Sequence, residues 1–114
     1  MPAQHVVTID LAPIRDAAGF HDVFQQALGF PKFYGRNMNA WIDCLTYVDG
    51  PAGEGMTNAV AEPGGSLVLM LTGVAAFASR CPDLFRALQD SAAFVNWRRL
   101  EQGEPSVLAL AYAT

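Results

Sequence analysis

The chain has 114 residues, of which 52% are hydrophobic, and this predicts one globular domain over residues 1–114, not a disordered tail. Seven Lys and Arg residues stand against eleven Asp and Glu residues, and the net charge of −4 disfavours direct binding to nucleic acid. The two cysteines, Cys44 and Cys81, are too few for a small disulfide-stabilised scaffold. No secretion signal or membrane-spanning run is visible, so we expect a cytoplasmic protein with reduced thiols.

The first part of the chain predicts a strand followed by two helices. Residues 5–10 (HVVTID) are rich in β-branched residues and predict the first strand. Apolar residues recur at three-and-four spacing over 19–28, and Gly29 is a typical C-terminal stop for that helix. The same spacing predicts a second helix over 37–47, with Asn37 as its N-cap.

The second part predicts two further strands and a third helix. The segment 48–65 contains several glycines and no periodicity, which indicates a long surface loop. Residues 66–72 and 106–112 are apolar almost throughout, as in parallel strands covered on both faces. A helix is predicted over 82–92, while 94–100 (FVNWRRL) either extends it or forms an extra strand, and the pattern slightly favours the strand.

The order of these elements defines a fold class. Strands that alternate with helices predict parallel pairing and right-handed crossovers. We therefore expect an α/β domain with a small, mainly parallel three-stranded sheet flanked by helices, with an extra edge strand possible over 94–100.

The second predicted helix carries the most informative surface. At about 100° per residue, its apolar positions face the core, and Asn39, Asp43 and Thr46 share the neighbouring sector. The residues that lead into this face are Phe33, Tyr34 and Gly35. Aromatic residues beside a carboxylate are a typical interface composition, although buried aromatics next to an ordinary solvated helix face explain the same pattern.

The segment FPKFYGRNMNAWIDCL over residues 30–45 resembles the barstar family, intracellular inhibitors of barnase-like ribonucleases. The family motif runs Leu or Phe, Pro, two aromatics, Gly, a variable residue, Asn, an apolar residue, Asp, Ala, two apolar residues, Asp, Cys and Leu. The resemblance is strong over about residues 5–47, where Ile14, Phe20, His21 and Leu28 also match. It implies a small parallel sheet flanked by helices.

The resemblance also implies how the chain works. An inhibitor of this kind fills the cationic active site of a ribonuclease with a carboxylate in place of a phosphate. Asp43 matches the central carboxylate of the family, and Asp90 on the third helix is the candidate for another family acid. The other implied partner-binding residues are Phe33, Tyr34, Gly35, Asn37, Asn39 and Thr46.

Two departures from the family pattern keep a second hypothesis open. Asn39 stands where the family usually has another carboxylate, and Arg36 occupies a position where an acid would help to attract a basic partner. Both departures fit a barstar-like module whose partner is a protein other than a ribonuclease.

Enzymatic, metal and cofactor functions have little support in the sequence. His5, His21, Asp43 and Cys44 are the candidates for a nucleophile and its base, but Asp43 and Cys44 are adjacent on a helix and diverge by about 100°. No Cys-x-x-Cys, helical His pair or Asp-rich loop suggests a metal site. Residues 97–99 (WRR) are interpreted as a packed Trp beside snorkelling or salt-bridged arginines, not as a contact to nucleic acid.

Overall fold

A computed structural model describes residues 4–48, 57 and 65–113 of the chain. Its elements in chain order are β1 (Gln4–Asp10), α1 (Ala17–Leu28), α2 (Met38–Thr46), β2 (Ser66–Thr72), α3 (Val74–Arg80), α4 (Pro82–Glu101) and β3 (Leu108–Tyr112). The three strands form one sheet in the order β1-β2-β3, and both pairings are parallel. This arrangement confirms the predicted α/β fold class.

The sheet buries one face. Leu67, Leu69 and Leu71 on β2 are fully buried in the core, together with aromatic residues of α1 and α2. The residues between them, such as Val68 and Met70, are only partly buried. The prediction that β2 and β3 are covered on both faces is therefore wrong. A continuous apolar run does not reveal how many faces are packed, because strands also tolerate Val and Met on a half-exposed face.

Side-chain N-caps define where the first two helices begin. The Asp16 side chain accepts a hydrogen bond from the Gly19 amide at 2.8 Å, so α1 begins two residues earlier than predicted. It ends at Leu28, and the C-cap residue Gly29 adopts the left-handed conformation with φ 65°. The Asn37 side chain accepts from the Ala40 amide at 2.8 Å, which confirms Asn37 as the N-cap of α2.

The strand predicted over 94–100 is wrong, because this segment continues α4 to Glu101. The buried residues Leu88, Ala92, Val95 and Arg99 follow one another at helical spacing, so a single stripe runs to the end of the helix. The sheet has no fourth strand in the described ranges 4–48 and 65–113. The short helix α3 was not predicted from the sequence.

Most of the predicted loop over 48–65 lies outside the described residues. Val48, Thr57 and Gly65 are described, and all three are buried. The Thr57 hydroxyl donates a hydrogen bond to the Leu28 carbonyl at the end of α1, at 2.5 Å. None of the helices in the described ranges is long and apolar enough to cross a membrane.

Alanine substitutions at Gly73 and Gly103 distinguish the cost of backbone strain from the cost of steric contact. Both have positive φ, but an added Cβ at Gly73 would meet the Ala12 amide nitrogen at 3.1 Å, whereas one at Gly103 would meet nothing within 4 Å. We expect Gly103→Ala to cost about 1 kcal/mol of unfolding free energy and Gly73→Ala about 2–3 kcal/mol. Urea denaturation of the two variants tests this, and equal losses would contradict it.

Candidate functional site

The candidate site is the face formed where α2 packs against α4. Asn39 and Asp43 are exposed on α2, and Asp90 and Phe94 are exposed on α4. A shallow groove of about 250 Å³ runs between the two helices. Its lining residues are Asn39, Ile42, Asp90, Ser91 and Phe94. The fold therefore brings Asn39 and Asp90 together, although they are 51 positions apart in the sequence.

Asp43 points outward from α2 and forms an ion pair within the chain. Its side chain is 58% exposed, and its Oδ1 accepts a hydrogen bond from Nη1 of Arg98 on α4 at 2.8 Å. Arg98 is 28% exposed. The carboxylate is thus accessible to a partner, but part of its hydrogen-bonding capacity is already used by this arginine.

Thr46 does not lie on the exposed face with Asn39 and Asp43, which corrects its expected placement. Its side chain is buried, and its hydroxyl donates to the Ile42 carbonyl of the same helix at 2.7 Å. Arg99 of α4 donates to the Thr46 carbonyl at 2.9 Å. A helical projection places Thr46 at the edge of the apolar sector, and the packing of α4 determines on which side of that edge it falls.

Tyr34 is also placed differently from the prediction, since it is buried and its side chain is not accessible to a partner. Its hydroxyl lies 2.5 Å from Nδ1 of His21 on α1, and its ring packs against Phe30 with centroids 4.7 Å apart. The neighbouring Phe33 is 76% exposed, and Gly35 is exposed as well. The aromatic pair therefore divides into an anchor, Tyr34, and a surface residue, Phe33.

Arg36 fastens the segment before α2 to α1. Its guanidinium donates to Oδ1 of Asp22 at 2.6 Å, to the Ala18 carbonyl at 3.0 Å and to Oε1 of Gln25 at 3.0 Å. Its backbone adopts φ 55°, a left-handed conformation that is uncommon for arginine. Since Asp22 compensates its charge locally, Arg36 opposes a basic partner less than the sequence suggested.

The remaining predicted residues near α2 have local structural roles. Asn37 caps α2 through its side-chain oxygen, and its side-chain Nδ2 donates a hydrogen bond to the Gly35 carbonyl at 3.4 Å. An added Cβ at Gly35 would meet the Ala40 Cβ at 3.4 Å and the side-chain Nδ2 of Asn37 at 3.5 Å, which are ordinary contacts. The capping role of Asn37 is sufficient to explain an asparagine at that position.

His21 and Tyr34 are held in their neutral forms by burial. Burial lowers the pKa of His21, the positive charge of Arg36 lowers it further, and the carboxylate of Asp22 raises it. Burial also raises the pKa of Tyr34, so the phenol keeps its proton and can donate to Nδ1 of a neutral His21. This hydrogen bond joins α1 to the segment that carries Phe33.

The lowered pKa of His21 predicts a loss of stability in acid. The unfolded chain, with a histidine pKa near 6.5, takes up the proton first, so the free energy of unfolding falls as the pH drops below about 6.5 and levels off below the folded pKa. The loss amounts to about 1.4 kcal/mol for each unit by which the pKa is lowered. Urea denaturation between pH 5 and pH 8 measures it, and His21→Gln should abolish it. His5→Gln, on the exposed surface of β1, is the control and should leave the pH dependence intact.

The thiol of Cys44 is poorly suited to nucleophilic chemistry. Cys44 is buried, and burial together with the neighbouring charge of Asp43 raises the pKa of its thiol to about 11. It therefore remains protonated at neutral pH, whereas a cysteine nucleophile acts as the thiolate. Within the described ranges, no three His, Cys, Asp or Glu side chains are grouped as metal ligands.

Sequence reasoning missed two exposed residues and one half-buried residue of α4 because it favoured a strand over 94–100. Phe94 and Trp97 are exposed on α4, and Arg98 pairs with Asp43. The expected salt bridges of the two arginines are confirmed for Arg98 and Arg99, but the predicted packing of Trp97 is wrong, since its side chain is 57% exposed. The apolar spacing from Leu88 to Val95 was the signal that could have extended the helix.

These features define a small α/β protein with parallel strands and an exposed carboxylate on a helix packed beside another helix. The family model described as Barstar (barnase inhibitor) matches residues 4–110, which is nearly the whole chain. The chain therefore belongs to the barstar family. A comparison with curated proteins gave no significant match.

Proposed function

We propose that this chain is a cytoplasmic inhibitor of a basic, barnase-like ribonuclease and that it blocks the active site of that enzyme with the face formed by α2 and α4. The observation that carries the proposal is the exposed carboxylate of Asp43 in the middle of α2, in a family described as barnase inhibitor. A ribonuclease gathers cations to hold a phosphodiester, and a carboxylate in the same place makes charge-assisted hydrogen bonds with them.

The surroundings of Asp43 support a protein partner. The groove beside it offers a second carboxylate from Asp90 and the amide of Asn39, and the exposed rings of Phe33 and Phe94 add aromatic area of the kind found at interface hot spots. The net charge of −4 favours encounter with a basic protein. In this proposal the chain binds and does not catalyse.

A second candidate function is binding to a protein that is not a ribonuclease. Two observations favour it. Asn39 contributes no charge to the groove, and the charge of Asp43 is compensated by Arg98. A face with fewer uncompensated carboxylates suits a partner with a less cationic surface.

Titration of barnase with the purified chain tests the proposed function. We expect the hydrolysis of RNA to fall to zero at a one-to-one ratio, and association to slow as the salt concentration rises, since charges steer the encounter. A basic ribonuclease unrelated to barnase serves as the control and should keep its activity. If barnase kept its full activity at a large excess of the chain, the proposed inhibition of barnase would be wrong. The second candidate function, binding to a protein that is not a ribonuclease, would then remain.

A further inference from the structure

The ion pair with Asp43 is the main interaction that positions the side chain of Arg98 on the face formed by α2 and α4. In the part of the chain that the structure describes, its guanidinium makes one hydrogen bond, the 2.8 Å contact to Oδ1 of Asp43. Arg36, in contrast, makes three, to Asp22, Gln25 and the Ala18 carbonyl. Arg36 is thus fixed by its surroundings, whereas Arg98 can leave Asp43 by rotation of its own side chain.

The position of Arg98 makes it a competitor for Asp43. A cation from a partner that approaches Oδ1 of Asp43 meets the guanidinium of Arg98 at the same oxygen. An exposed ion pair of this kind changes an equilibrium constant by less than about fivefold, so a partner can replace it. The displaced Arg98 then stays beside the partner's cations and repels them, unless the partner offers an acceptor.

We propose that Arg98 is a specificity-determining residue of this face: it occupies Asp43 in the free chain and lowers the affinity for partners that present only cations around Asp43. This inference rests on the proposed function, because it assumes that Asp43 binds a cation of a basic protein. The partners that Arg98 disfavours are those whose surface is cationic throughout around the group that replaces it.

Arg98→Ala and Arg86→Ala, measured against barnase, test this inference. Arg86 is exposed on the same helix, so both variants remove one positive charge and change the long-range attraction equally. Arg98→Ala alone removes the competitor of Asp43. We expect it to bind barnase about three- to tenfold more tightly than Arg86→Ala, with Arg98→Gln showing the same direction.

A double-mutant cycle shows whether the gain acts through Asp43. In an Asp43→Ala background, Arg98→Ala should give a clearly smaller advantage over Arg86→Ala, because there is no carboxylate left to release and only the repulsion by Arg98 is removed. Thermal unfolding of each variant confirms that the compared proteins are folded.

The possible outcomes separate this inference from the proposed function. If Arg98→Ala and Arg86→Ala bind equally well, Arg98 does not restrain Asp43, and the inference is wrong while the proposed function stands. If Arg98→Ala binds more weakly, Arg98 contacts the partner directly, and the inference is again wrong. If neither the wild type nor Arg98→Ala binds barnase, the proposed inhibition of barnase fails and the inference fails with it.

Discussion

Asp43→Ala is expected to weaken the binding of barnase by at least about 2 kcal/mol, which is roughly 30-fold in Kd. In the proposed complex the carboxylate is surrounded by cations and withdrawn from water, so its removal leaves those cations unpaired. It also leaves Arg98 without its partner on the binding face, which adds a repulsive charge. Inhibition titrations of wild type and variant give the ratio of the two Kd values.

Two variants identify the cause of such a loss. Asp43→Asn keeps the shape of the side chain without the charge, and it should lose nearly as much affinity as Asp43→Ala. Glu101→Ala removes an exposed carboxylate from the last turn of α4 and changes the net charge equally, but it should cost less than about 0.5 kcal/mol. Because Asp43 is exposed, neither of its variants should unfold the chain. If the Asp43 and Glu101 variants lost the same affinity, general charge and not a specific carboxylate would explain binding.

Arg99→Ala is expected to lower the free energy of unfolding by about 3 kcal/mol. Arg99 is buried, and its guanidinium donates to the Thr46 carbonyl at 2.9 Å and to the Pro105 carbonyl at 2.8 Å. It also lies 3.3 Å from the carboxylate of Glu104. Its removal leaves the buried carbonyl at the end of α2 without this donor and opens space between α2 and α4. Urea denaturation measures the loss, provided that the variant and the wild type show the same dependence of unfolding free energy on urea concentration.

The neighbouring arginine provides the control for Arg99. Arg98→Ala breaks a half-exposed ion pair and should cost less than about 1 kcal/mol. Arg99→Lys keeps the positive charge but lacks the planar fork that reaches several carbonyls at once, so it should recover less than half of the lost stability. Equal losses for Arg98→Ala and Arg99→Ala would show that the buried contacts of Arg99 do not stabilise the packing of the two helices.

Arg99 also connects stability to the candidate site. It links the C-terminal end of α2 to the turn that follows α4, and both helices contribute to the exposed face. Because Asn39 and Asp90 lie on different helices, a shift of α2 against α4 would change the groove that they line. Variants of Arg99 that remain folded should therefore bind a partner less tightly, although Arg99 is not exposed.

The strands and most of the helices could be predicted because their signals are local. The three strands were found within a few residues of their observed ends, and the caps at Asn37 and Gly29 lie where the sequence indicated. The error over 94–100 has a physical cause. Phe94 and Trp97 are apolar yet exposed on α4, and this blurred the helical pattern that the buried positions on either side of them follow.

Only a part of the candidate site could be predicted. The exposure of Asn39, Asp43, Asp90 and Phe33 agrees with the sequence interpretation, and their contact with a partner stays a prediction. Tyr34 and Thr46 were placed on the surface but are buried. In both cases the residue lies at the border of an apolar pattern, where a projection of one segment does not show which neighbouring segment covers it.

Periodicity, caps and glycine positions within single segments were enough to establish the class of fold and the helix that carries the acidic residue. Three features could be seen only in the tertiary structure. They are the pairing of Asp43 with Arg98, the hydrogen bond of Tyr34 to His21, and the groove between Asn39 and Asp90. Each of these contacts joins residues of different elements. Short-range patterns reflect the conformational preferences of neighbouring residues, whereas such contacts depend on how α1, α2 and α4 stack, which is set by the shape of the whole core.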